Sequence, residues 1–147
     1  VNQGIKAADP NSKYFVFMHA DTVVLDQAWL DVLINISEAK GAGIVGTQLQ
    51  SYIISNQKLE FVQEWCMLMT RQCLEGIGLW PEELPLIGHS FIMTLRAQIK
   101  GHKPQATGNN IVHHFKSLSI DPNEYERIGE QSRAVLGKLY AAARTQN

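Results

Sequence analysis

Five β-prone residues in a row, Tyr14-Phe15-Val16-Phe17-Met18, give the strongest apolar signal in the first third of the chain. A run without polar alternation predicts a strand buried on both faces, as inside a parallel sheet. His19-Ala20-Asp21 follows it directly, and then Thr22-Val23-Val24-Leu25. From Asp26 to about Glu38 the spacing turns helical. Asp26 offers an N-cap, Trp29, Leu30, Leu33 and Ile34 form the apolar stripe, and Gly41 lies past the end. Before the strand, Ile5, Ala7 and Ala8 outline a partial helix stopped by Pro10.

Gly43 to Leu49 predicts a second strand, and Ser55-Asn56-Gln57-Lys58 a polar loop. Phe61 to Met69 fits either a strand or a helix, because short apolar runs carry no clear period. Gly76, Gly78, Pro81 and Pro85 punctuate an irregular stretch. A helix is predicted over 89–100, with Phe91, Ile92, Leu95 and Ile99 on one face, Gly101 after it and Pro104 beyond. Ile111-Val112-His113-His114-Phe115 predicts a short strand ending in histidines. Asp121-Pro122-Asn123-Glu124 supplies an N-cap, a proline at the first helical position and a return glutamate. Tyr125, Ile128, Ser132, Val135, Leu136 and Leu139 then keep helical spacing. The pattern predicts one α/β domain over residues 1–147 with an irregular middle and no internal repeat.

Composition narrows the partners. With 147 residues, 45% hydrophobic and 18% charged, the chain has the make-up of a soluble globular domain. Its formal net charge of −1 supplies no field for nucleic acid or an anionic membrane. No apolar run approaches the roughly 20 residues of a transmembrane segment. The first residues carry no signal-peptide pattern. Cys66 and Cys73 form neither a disulfide framework nor a C-x-x-C motif, so reduced thiols and a cytoplasmic location are expected.

An acid just past the carboxyl end of a central strand lies where open α/β sheets place their ligand crevice. Asp21 can therefore ligate a divalent cation through hard oxygen, or cap the turn that follows. His19, two residues away, points to the same face on an extended chain. Imidazole serves as metal ligand or general base, but of the adjacent pair His113 and His114 only one reaches a given face. His89 and Ser90 open a helix whose N-terminus suits an anion, and His89 can also simply cap it. Arg96 and the pair Glu82-Glu83 read first as solvated charges, with general acid–base chemistry as the other reading of the glutamates. Trp65 and Trp80 are either core or sugar-stacking rings. P-loop, G-x-S-x-G, H-E-x-x-H and G-x-G-x-x-G motifs are absent.

The order of these features resembles family 2 glycosyltransferases of the GT-A fold. Asn2, Gly4 and Ala8 are similar to that family's N-x-G-x-x-x-A helix. Tyr14 to Asp21 resembles its hydrophobic strand and D-x-D motif, and Trp29-Leu30 its T-x-(V/L)-x-x-x-W-L segment. Met67-Leu68-Met69-Thr70-Arg71 and Ile77-Gly78-Leu79-Trp80 resemble its acceptor-side segment. His89 to Gly101 resembles its E-D-x-D-L-x-x-R…G helix, and His113-His114 with Ser117 and Ser119 its late histidine loop. The resemblance runs from Asn2 to about Tyr140. Its departures are His19 at the first acid of D-x-D, His89-Ser90 where the family carries E-D, and Ile92 at the later aspartate. The family's V-S-(I/V)-I-(I/V)-P-x-Y-N strand does not occur, so a fragment of a longer domain is expected.

The resemblance implies a partial GT-A sheet flanked by helices and a metal-dependent sugar transfer from a nucleotide-sugar donor to a glycan or other acceptor. Asp21 and His19 would meet the donor, with Mg²⁺ or Mn²⁺ held by Asp21 and either His113 or His114. His89 is the candidate base or acceptor contact. The alternative is a catalytically silent GT-A remnant that binds a glycan or a protein. An uncovered sheet edge would favour a homo-oligomer.

Overall fold

A computed structural model describes residues 1–54, 57–84, 88–108, 110–115 and 121–145. The elements are α1 (Asn2–Ala7), β1 (Tyr14–Met18), β2 (Thr22–Val24), α2 (Trp29–Lys40), β3 (Ile44–Gly46), β4 (Leu49–Ile54) and β5 (Gln57–Val62). They continue with β6 (Cys66–Thr70), α3 (Arg71–Ile77), α4 (His89–Ile99), β7 (Gln105–Ala106), β8 (Val112–His114) and α5 (Pro122–Thr145). The protein is α/β, with a four-stranded mixed sheet and two two-stranded ribbons.

The sheet runs in the order β1-β6-β3-β7. Strand β6 is antiparallel to both β1 and β3, and only β3 and β7 pair in parallel. The expectation of a central strand in a parallel sheet is thus corrected. Among the described residues β1 has one neighbour, β6, and only Phe15 of its five residues is buried. The unbroken apolar run has another cause, which is that both faces of the sheet are covered. Phe15, Phe17, Ile44, Met67 and Met69 face a cluster that includes Leu74, Ile77, Met93 and Ala97 of α3 and α4. Tyr14, Val16, Val45, Cys66 and Leu68 face the opposite cluster, which includes Leu33 and Ile36 of α2. Side chains alternate at period two, and each set finds a helix.

Several boundaries differ from the sequence reading. Helix α2 begins at Trp29, because Asp26 spends its Oδ1 on the Ala28 N–H (2.8 Å) in a turn ahead of the helix. Its C-cap, Gly41, is left-handed at φ 59°, as expected of a glycine there. The stretch Gly43–Leu49 splits into β3 and the start of β4, and Gln57 and Lys58 belong to β5 rather than to a loop, while Ser55 and Asn56 lie outside the described residues. The ambiguous run Phe61–Met69 holds the end of β5, a turn at Glu64-Trp65 and most of β6. Part of the supposedly irregular middle is α3, capped by the Thr70 hydroxyl, which accepts from the Cys73 N–H at 3.1 Å.

Helix α5 starts at the N-cap the sequence predicts, with Asp121 Oδ1 accepting from the N–H groups of Asn123 (2.9 Å) and Glu124 (3.3 Å). A third cluster joins α5 to α4 through Phe91, Ile92, Leu95, Leu136 and Tyr140. The buried Thr94 hydroxyl accepts the Val62 N–H at 3.3 Å and ties α4 to β5. Among the described residues no helix is long and apolar enough to cross a membrane.

Candidate functional site

Strand β1 delivers the chain to a tight corner at 19–21, which backbone groups hold in place. The His19 N–H donates to Trp65 O (3.2 Å), the Thr22 N–H to His19 O (3.2 Å) and the Thr22 hydroxyl to Trp65 O (3.1 Å). The chain then enters β2, which pairs with β8 so that Thr22 lies opposite His114 and Val23 opposite His113. The Phe115 N–H closes the ribbon onto Asp21 O at 3.0 Å.

This register gathers three candidates. His114 Nε2 lies 3.2 Å from Asp21 Oδ1 and 3.3 Å from His19 Nδ1, and His19 Nδ1 lies 4.0 Å from Asp21 Oδ1. All three donor atoms fall within 4.8 Å of one another. Trp65 stacks flat on the His114 ring, with centroids 5.4 Å apart and planes 5° apart. Burial lowers the pKa of His114; the Asp21 carboxylate works against that shift and nearby His19 adds to it. Depressed basicity favours the neutral imidazole, the form that binds metal. Two imidazoles and one carboxylate resemble the three-ligand sets that leave coordination positions open.

His113 is not brought into this group. Its neighbour His114 takes the inner face of β8, so His113 is exposed on the other, its ring 4.8 Å from Phe115. Ser117 and Ser119 lie outside the described residues.

Beside the cluster opens a cleft of about 450 Å³. His19 belongs to both, and Glu64, Trp80, Glu82 and His89 also line the cleft. His89 and His19 therefore share one cleft. The Trp80 backbone is clamped by Asn2, whose Oδ1 accepts from the Trp80 N–H and whose Nδ2 donates to Trp80 O, both at 3.0 Å. The same Nδ2 reaches Glu82 Oε1 at 3.0 Å. Arg96, read from the sequence as a solvated charge, donates to Leu79 O at 2.8 Å and braces this segment. The Trp80 ring packs against Phe17 and His89 with centroids 5.0 and 5.7 Å apart, and its buried Nε1–H has no partner among the described residues. Trp80 is thus a core ring that lines a cleft, and Trp65 a wall of the histidine cluster.

Glu64 is a residue that sequence reasoning did not raise. It sits in the β5–β6 turn, and its Oε2 accepts the Ser90 N–H at 3.2 Å at the start of α4, where Gly88 supplies no side-chain cap. Its one sequence signal is a lone acid inside the apolar stretch Phe61–Met69. The position where the resembled family carries an acid holds His89, yet a carboxylate reaches the same helix end from another element. Glu83 is exposed. Arg71 is structural, since it donates to Ser12 O (2.6 Å) and Asp9 O (2.8 Å) and lies over the Phe15 ring.

No protein-family model and no curated protein matches the chain. Its function is therefore argued from these residues and their arrangement.

Proposed function

We propose that the chain is a metal-dependent glycosyltransferase domain of GT-A type, using a nucleotide-sugar donor. The observation that carries this reading is the meeting of Asp21, just past the end of β1, with His114 and with His19, which also lines a cleft shared with His89 at the start of α4. The order of motifs along the chain supports it independently. His19, Asp21 and His114 would hold the ion. The donor set suits Mn²⁺, or another ion that accepts nitrogen, better than Mg²⁺, which prefers oxygen and octahedral geometry. Such an ion supplies Lewis-acid neutralisation of charge on the donor diphosphate.

The remaining roles fall to the cleft. Glu64, fixed by the Ser90 N–H, is a carboxylate suited to take the proton of the attacking hydroxyl, with His89 beside it as an acceptor contact. The test is release of nucleoside diphosphate from a panel of sugar nucleotides, with and without Mn²⁺. Mn²⁺-dependent release that disappears in Asp21→Ala supports the reading. Mn²⁺ binding without turnover of any donor would favour the silent, glycan-binding alternative.

A further inference from the structure

A second cavity of about 560 Å³ lies between α4, α5 and the β4–β5 ribbon. We propose that it receives the apolar, ring-bearing body of the acceptor alcohol, an inference that rests on the transferase reading above. Its volume falls in the range of small-molecule sites, which are mostly apolar with a few placed polar groups.

The layout of its walls argues for an amphipathic occupant. Phe61 and Phe91 meet edge to face with centroids 5.5 Å apart, and Leu136 and Tyr140 of α5 continue the apolar surface. Edge-to-face rings and aliphatic side chains suit a further ring, which can add another offset or edge-to-face contact. Space comes from α5 itself, because Gly129 and Gly137, two helical turns apart, both line the cavity. A Cβ on Gly137 would meet no atom within 4 Å. Polar groups also line it: Gln63, Glu64 and Ser90 near the start of α4, where Glu64 accepts from the Ser90 N–H, and Gln50 and Arg133 on β4 and α5.

One observation ties this cavity to the donor side: Glu64 also lines the metal-side cleft, so it joins the two spaces. An alcohol lying in the second cavity with its hydroxyl toward Glu64 would present its oxygen to the donor side. In the transfer, that oxygen bonds to the anomeric carbon and its proton passes to the Glu64 carboxylate. The anomeric carbon–oxygen bond to the diphosphate breaks, and the electron pair leaves with the nucleoside diphosphate.

The probe is 2-naphthol, titrated into the isotope-labelled full chain and followed by amide chemical shifts, with glucose as the polar comparison. Saturable shifts on α4 and α5 with 2-naphthol, and none there with glucose, are expected. Gly137→Leu should weaken 2-naphthol binding at least tenfold by filling the space. Gly137 is an exposed helical position, so leucine favours the helix and lost binding would not reflect unfolding. Glucose binding in place of 2-naphthol, or 2-naphthol binding that ignores Gly137→Leu, would overturn the proposal. Turnover separates this failure from that of the reading beneath it. Mn²⁺-dependent transfer onto glucose but not 2-naphthol refutes the acceptor class alone, whereas no turnover of any donor in a chain that binds 2-naphthol refutes the transferase reading and the acceptor role together.

Discussion

Asp21 Oδ1 lies 3.2 Å from His114 Nε2, although the two residues belong to distant parts of the chain. The β2–β8 ribbon makes that contact, and a shift of one residue in its register would present His113 instead. The register therefore decides which histidine stands beside Asp21. Asp21→Ala and His114→Ala should each weaken Mn²⁺ binding by tenfold or more, since even partners outside the ligand shell are worth about 10–100-fold. His113→Ala should leave the affinity unchanged. Calorimetric titration of the three variants checks this, and equal losses for His113→Ala and His114→Ala would refute the assignment.

The legible parts of this protein are the local ones. β1 announces itself because both of its faces are covered, and α5 because Asp121, Pro122 and Glu124 form its start within four residues. Asp21 stands out as an acid at a strand end. The ribbon β2–β8 is not legible, because Val23 and Val24 are exposed and its pairing joins remote segments. For the same reason the choice between His113 and His114 was open, being a matter of register. Glu64 was hidden because its site is an α4 helix end that lies far from it in sequence. Hairpin β4–β5 was missed because Leu49-Gln50-Ser51-Tyr52-Ile53-Ile54 keeps no strict alternation and the polar run Ser55-Asn56-Gln57-Lys58 reads as a loop, which hides the start of β5.

Glu64→Gln separates chemistry from architecture. Glutamine keeps an oxygen that can accept the Ser90 N–H, so the loss of stability should be limited to the charge at the start of α4, about 0.3–1 kcal/mol. Transfer requires a proton acceptor, and an amide is not one, so turnover should fall about 10²–10⁴-fold. Denaturant melts paired with Mn²⁺-dependent turnover read the two effects separately. Full turnover in Glu64→Gln would remove Glu64 as the base.

Gly88 should tolerate no side chain. Its φ is 96°, a conformation that L residues rarely adopt, and a Cβ there would lie 2.6 Å from Leu136 Cδ1. Gly88→Ala therefore strains the start of α4 and makes the Leu136 side chain shift. Backbone strain of this kind costs about 1–3 kcal/mol. Thermal unfolding should move down by several degrees, and Leu136→Ala, which by itself removes packing between α4 and α5, should cost less in Gly88→Ala than in the parent chain because it relieves the contact. If Leu136→Ala costs the same in both chains, the two residues do not meet as described.

Cys66 and Cys73 offer a pH test of the core. Both side chains are fully buried, on opposite faces of the sheet, and burial pushes both thiols from the ordinary value near 9 up to about 11. The unfolded chain would ionise them near 9 and the folded chain only near 11. Between those values the unfolded state binds fewer protons, so stability falls as pH rises through that window and is unaffected by these thiols at neutral pH. Alkylation by iodoacetamide, which needs the thiolate, should be slow for both cysteines in the folded protein at pH 8 and fast once denaturant is added. Cys66→Ala with Cys73→Ala should flatten the loss of stability between pH 9 and 11. Rapid labelling of either cysteine in the native chain at pH 8 would show that its side of the sheet is not closed.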